Sequence, residues 1–90
     1  GRGGDVEWRL LGRLAVDEFP AVRVEALNAI AAGKATSLAD VIRKALKDDD
    51  SRVVLAAIRA AGAIGDTQAL DSMTSDLPEI KAAVTAARTR

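Results

Sequence analysis

Two stretches of the chain, residues 20–33 and 51–65, repeat one apolar pattern 31 positions apart. The aligned pairs are Val22 with Val53, Ala26 with Ala57, and Leu27 with Ile58. Apolar residues at this spacing are typical of one face of an α-helix. Self-similarity at a period of about 20 to 50 residues predicts a stack of helical repeats. The repeat therefore favours a protein that binds a partner over one that catalyses a reaction.

The composition agrees with close-packed helices. Of the 90 residues, 49% are hydrophobic, and these are mostly Ala, Leu, Val and Ile, with one Phe, one Trp and no Tyr. A chain of this length is predicted to form one small domain. Its most apolar run, residues 53–64, contains Arg59 and is well short of the roughly 20 residues of a membrane span. We expect no membrane helix.

Charge and the missing residue types limit the classes of function. Lys plus Arg number 13 and Asp plus Glu number 13, so no net field attracts nucleic acid or anionic lipid. The chain has no His, Cys or Tyr, which removes the commonest nucleophiles, bases and metal ligands. We expect no enzyme activity, no cofactor and no metal site. The absence of Cys fits a reducing compartment and favours the cytoplasm, although localisation stays open.

Apolar periodicity predicts six helices, joined by short connections. They span about residues 6–16, 20–32, 37–47, 52–64, 67–75 and 79–89. Asp5, Ser37 and Asp66 are the expected N-terminal caps, and Gly33 and Gly65 the expected left-handed C-terminal caps. We assign residues 1–4 to a disordered tag or linker and residues 5–90 to a single helical domain.

A short motif recurs in the repeats: an Asp, a few turn residues, Val-Arg, and an Ala four residues after the Val. Its copies are Asp17, Pro20, Val22, Arg23 and Ala26; Asp48, Val53 and Ala57; and Asp76, Pro78, Ile80 and Lys81. The motif resembles that of the HEAT repeat family, in particular the short repeats of phycobilisome-lyase-like proteins. This resemblance implies an all-α, right-handed α-α superhelix, a HEAT-like solenoid of about six antiparallel helices.

The second copy of the motif departs from the family pattern. Val54 stands where the motif has Arg. The family's ladder of Asp and Arg contacts between neighbouring repeats is therefore in doubt, and we expect apolar packing to hold the repeats together.

The acidic and glycine-containing turns have simple structural interpretations. Asp48, Asp49 and Asp50 precede the fourth helix, where carboxylates are electrostatically favourable. A cation site is the alternative, but the stretch lacks the spaced ligands and turn Gly of a calcium loop. Gly62 and Gly65 lack the strand and the Lys of a phosphate-binding loop. We expect them to act as a helix-packing residue and a cap.

The first helix carries the most distinctive apolar residues. Val6, Leu10 and Leu14 form its predicted inner stripe. Aligning this helix with the later ones places Trp8 and Leu11 at positions that are polar elsewhere, so these two, with Ala15, form a predicted exposed stripe. Such a stripe is typical of a contact surface, and Trp8 is a candidate anchor for a partner. The alternative is that Trp8 folds over the end of the core.

The third helix carries the second candidate binding surface. The resemblance implies that second helices line the concave side, which would bring Arg43, Lys44 and Lys47 beside Arg9 and Arg13. The opposite end would be acidic, with Asp66, Asp71 and Asp76. We expect either a solvated charged surface or a groove for a segment of complementary charge.

The sequence thus predicts a non-catalytic scaffold that binds a protein partner or neighbouring repeats, and that is a fragment or module of a larger protein. Ala82, Ala83, Ala86 and Ala87 make the last helix small-sided, so a homo-oligomer is a further expectation. Nucleic-acid binding through a concave basic patch is the alternative; it is disfavoured because few basic residues and one Trp are available. A lyase subunit that presents a chromophore is a third hypothesis, supported by the resemblance alone.

Overall fold

The computed structural model describes residues 9–73 and 77–88, and the regular structure in these ranges is entirely helical. Within the described residues, helix α1 covers residues 9–14. The elements that follow are α2 (Pro20–Gly33), a 3₁₀ turn (Thr36–Leu38), α3 (Ala39–Ala45), α4 (Ser51–Ile64), α5 (Thr67–Asp71) and α6 (Pro78–Arg88). The predicted all-α fold is confirmed. The predictions for residues 1–4, Asp5 and Asp76 lie outside the described residues.

Helix α4 lies at the centre of the molecule. It packs against α2 and α6, and also against α3 and α5. Its Val53, Ala56, Ile58 and Ala60 are all fully buried, as expected for a helix covered on several sides. Helix α1 adjoins the 3₁₀ turn and α3, since a Cβ atom built on Gly12 would lie 3.4 Å from Leu38 Cδ2 and 3.8 Å from Val41 Cγ2.

The close contact between α4 and α6 depends on Gly62. A Cβ atom at this position would lie 2.9 Å from the Cβ of Ala87 and 3.3 Å from its Cα. The absence of a side chain therefore lets the two backbones approach. Gly62 is a helix-packing residue, as predicted.

The two long helices end in the same hydrogen-bonded motif, but with different residues in the left-handed conformation. Gly65 has φ 76° and ends α4, as predicted. At the end of α2 the left-handed residue is Lys34, with φ 51°, and Gly33 is still helical. The amide of Ala35 donates to the carbonyl of Ile30, as that of Asp66 does to Ala61. The prediction that Gly33 is the left-handed cap was wrong by one residue.

The shorter helices differ most from their predicted bounds. Ser37 lies inside the 3₁₀ turn, and no side chain caps α3, which begins at Ala39. Helix α5 ends at Asp71, four residues before its predicted end. There the Ser72 hydroxyl donates to the carbonyl of Ala69, which offers the backbone a local alternative to further helix. Asp66 caps α5 as predicted, accepting from the amide of Ala69 at 3.4 Å.

Helix α1 presents a different face to the core from the predicted one. Leu10 is 54% exposed, whereas Ala15 is only 3% exposed and Leu11 is half-buried against the core. The inner stripe is therefore Leu11, Leu14 and Ala15, at helical spacing. The predicted exposed stripe was wrong for Ala15. Helix α1 packs at Gly12 against the 3₁₀ turn and α3. This contact turns the stripe of Leu11, Leu14 and Ala15 toward the core, rather than the stripe that contains Leu10.

Candidate functional site

The exposed side of α3 and the adjoining α5 form a groove of about 470 Å³. Arg43, Leu46 and Lys47 come from the α3 side, and Ser72 and Met73 follow α5. Its lining combines the buried Leu46 and the half-buried Met73 with the exposed side chains of Arg43, Lys47 and Ser72. An arrangement of this kind suits an extended segment that has both apolar and acidic side chains.

Arg43 lies on the rim of this groove and is held by Asp66. Its Nε and Nη2 atoms donate to the two carboxylate oxygens of Asp66 at 2.8 and 2.9 Å. These hydrogen bonds lower the pKa of Asp66 and raise that of Arg43. The predicted separation of basic and acidic ends is therefore wrong at this pair. Asp71 is likewise paired, with Arg88 at 2.9 Å.

Lys44 of α3 and Lys47, which follows α3, are exposed cations that take part in none of the ion pairs among the described residues. Lys44 lines a second groove of about 470 Å³, with Ala15 and Val16 on its other side. Lys47 borders both grooves. Of the three α3 residues predicted to bind a partner, these two present an unpaired charge.

A third groove lies between α1 and α2, with a volume of about 400 Å³. Leu11 lines it, together with Leu14 of α1 and Val22, Glu25 and Ala29 of α2. Leu11 therefore lies at the surface of the molecule, in the wall of this groove, with its side chain half-buried. The other predicted residue of this region, Trp8, lies outside the described residues.

The acidic turn before α4 acts in capping, as predicted. The Asp50 carboxylate accepts from the amide of Arg52 at 2.9 Å and from its guanidinium. Chiefly because of these hydrogen bonds, the pKa of Asp50 is lowered to about 2. Within residues 9–73 and 77–88, no cluster of three or more acidic side chains has the geometry to hold a metal ion. No helix in these ranges is long and apolar enough to span a membrane.

A family model of HEAT repeats matches residues 9–87. The chain belongs to the HEAT repeat family. No curated protein and no solved structure matches it. HEAT repeats are commonly helical scaffolds for protein interaction. Membership therefore agrees with the architecture of stacked helices described above.

An Arg–Asp contact joins two HEAT repeats of this chain, contrary to the expectation of apolar packing alone. Arg23 Nη1 donates to the backbone carbonyl of Asp17 at 2.7 Å, and Nη2 donates to Asp48 Oδ1 at 3.2 Å. Its Nε atom lies 3.0 Å from Asp48 Oδ2 without a hydrogen-bonding alignment. The expectation was wrong because one Arg bridges the turns of both repeats. At position 54, where the motif has Arg, the Val side chain is buried.

Proposed function

We propose that this chain is a non-catalytic HEAT repeat scaffold that binds an acidic segment of a protein partner along α3. The observation that supports the proposal is a pair of neighbouring cations without an ion-pair partner among the described residues. Lys47 borders the groove between α3 and α5, and Lys44 lines the second groove, which Lys47 also borders. Apolar side chains of the partner would enter toward Leu46 and Met73. Arg43 contributes to the shape of the rim, since Asp66 already neutralises much of its charge.

Nucleic-acid binding has less support. Four arginines, at positions 23, 43, 52 and 88, are paired with carboxylates. A phosphate backbone is bound by cations that are available to release its counterions. The net charge of the chain is zero, so only a small local patch remains for such a role.

A comparative pull-down tests the proposal. The variant Lys44→Glu/Lys47→Glu is expected to lose captured partners, because the rim then repels acidic segments. Lys34→Glu/Arg59→Glu is the matched control, since both residues are exposed and line a different surface. Equal capture by the double variant and the wild type would refute the proposal. Duplex DNA at low salt serves as a second probe, and salt-dependent binding to it would favour the alternative.

A further inference from the structure

The groove between α1 and α2 corresponds to a surface that is covered elsewhere in the same molecule. The 31-residue offset of the repeat relates its α2 residues Val22, Glu25 and Ala29 to Val53, Ala56 and Ala60 of α4. The three α4 residues are fully buried. In α2, by contrast, Glu25 and Ala29 are exposed. The groove is therefore the face of α2 on which a preceding helix of the array would pack.

Helix α6 presents the complementary face. Ile80 and Ala87 are buried, and Ala87 packs on Gly62 of α4. Because each helical residue advances by about 100°, Ala82 points to the side opposite Ile80, flanked by Thr85 and Ala86. These three small residues are exposed. Aligning Ile80 with Val53 places these three residues at the positions of Leu55, Ile58 and Arg59 in α4. This is the side of α6 on which a following helix of the array would pack.

The charged residues beside these two faces independently support a contact between them. Asp17 and Asp48 are 31 residues apart and have the same local geometry. Asp17 Oδ1 accepts from the amide two residues later at 2.9 Å, and Asp48 Oδ1 does so at 2.8 Å. Asp48 receives Arg23 of the preceding repeat. Asp17 is thus shaped to receive a cation in the same way.

Lys81 is the cation that matches Asp17. It follows Ile80 as Arg23 follows Val22, so it occupies the same position of the motif. Neither Asp17 nor Lys81 belongs to any ion pair within the part of the chain that the structure describes. A head-to-tail stack would bring the two together in the manner of Arg23 and Asp48.

We propose that a second copy of this chain stacks head to tail on the first, with its α6 in the α1–α2 groove and its Lys81 beside Asp17. The contact uses two different surfaces, so it is heterologous and leaves one of each open on the dimer. It involves neither Lys44 nor Lys47, and is thus separate from the partner groove along α3.

Two blocking variants test the orientation. Ala29→Arg obstructs the groove of α2, and Ala82→Arg obstructs the face of α6. Both residues are exposed, so the fold should persist, which far-UV circular dichroism and thermal melting verify. Sedimentation velocity from micromolar to millimolar concentration is expected to show association of the wild type, a monomer for each variant alone, and a 1:1 dimer for their mixture.

Several outcomes would overturn the proposal. A wild type that stays monomeric throughout the range would refute self-association. Dimers of Ala82→Arg alone would indicate a symmetric contact between grooves, and dimers of Ala29→Arg alone a symmetric contact between α6 helices. A mixture that stays monomeric would also contradict the head-to-tail arrangement.

A charge exchange tests the ion pair. Lys81→Glu places like charges together and is expected to weaken self-association roughly tenfold. Adding Asp17→Lys should restore most of that loss, since the pair is then reversed. Lys47→Glu is the control and should leave self-association unchanged, which separates this inference from the proposed partner groove. Equal association of Lys81→Glu and the wild type would contradict the pairing.

Discussion

Single residues determine how the long helices of this protein end. Lys34 and Gly65 hold equivalent positions, 31 residues apart, and both are left-handed. A residue with a Cβ atom pays roughly 1 to 2 kcal/mol in this conformation, whereas glycine adopts it readily. The repeat alignment pairs Gly65 with Lys34 rather than with Gly33, and this pairing identifies the cap correctly.

Lys34→Gly is therefore expected to increase the free energy of unfolding by about 0.5 to 1 kcal/mol. Gly65→Ala should decrease it by about 1 kcal/mol, since the new Cβ meets the same backbone strain. Urea denaturation measures both. Lys34→Ala is the control, because it keeps a Cβ at the left-handed position. A loss of stability in Lys34→Gly would contradict the assignment.

Gly62 is a residue whose size limits an interhelical distance. Gly62→Ala is expected to lower the free energy of unfolding by about 1 to 3 kcal/mol, because its Cβ would lie 2.9 Å from that of Ala87. This exceeds the gain of up to about 1 kcal/mol in helix propensity. In a double-mutant cycle measured by urea denaturation, Ala87→Gly should recover part of the loss. A stabilised Gly62→Ala variant would show that α6 moves away at little cost.

At the scale of elements, ion pairs connect the short helices to the rest. Arg43 of α3 binds the Asp66 cap of α5, and Arg88 of α6 binds Asp71 of α5. Surface pairs usually contribute less than about 1 kcal/mol each. Here both pairs join α5 to another helix, so we expect their main effect to be on the orientation of α5.

The lowered pKa values of two carboxylates predict a loss of stability in acid. The folded pKa values of Asp50 and Asp66 lie below the ordinary 3.8, that of Asp50 at about 2. The contribution of these two carboxylates to the free energy of unfolding is complete above their unfolded pKa and is lost as the pH falls through their folded pKa. The free energy of unfolding should therefore decrease between about pH 4 and pH 2, which denaturation at a series of pH values measures.

The variant Asp66→Asn tests how much one carboxylate contributes to the acid dependence of stability. It keeps an oxygen for the amide of Ala69 but removes the titrating charge. We expect a shallower acid dependence and a loss of less than about 1 kcal/mol at neutral pH. An acid dependence as steep as that of the wild type would exclude Asp66 as a source.

The whole molecule depends on the central helix α4. Because α2, α3, α5 and α6 all contact α4, a cavity beside α4 should destabilise all of these helices together. Ile58→Ala, at a fully buried site, is expected to cost about 2 to 5 kcal/mol. Leu10→Ala, at an exposed site, should cost far less.

Circular dichroism and amide hydrogen exchange would check this prediction. In Ile58→Ala, the protection of α2 and α6 should fall together, in agreement with a single cooperative transition. Loss of protection confined to one side of α4 would show that the repeats unfold separately.

The sequence predicted the long helices well and the short ones poorly. Helices α2 and α4 were located to within one residue at each end, because each has a long apolar period and a turn signal at both ends. The bounds of α3 and α5 depend on 3₁₀ and side-chain hydrogen bonds of only a few residues. Of the candidate site, the exposure of Lys44 and Lys47 was predictable from helical spacing, whereas the pairing of Arg43 with Asp66 was not.

By itself the sequence determined the helical class, the repeat and the family, because apolar periodicity depends only on residues that are close together in the chain. The tertiary structure decided which stripe of α1 faces the core and which charges are neutralised. It also decided which repeat faces are exposed among the described residues. These features depend on where packed helices bring distant side chains: Arg23 meets Asp48 only because α2 and α4 lie side by side. For the same physical reason, the second copy that we propose would pack beside Asp17 in the groove between α1 and α2.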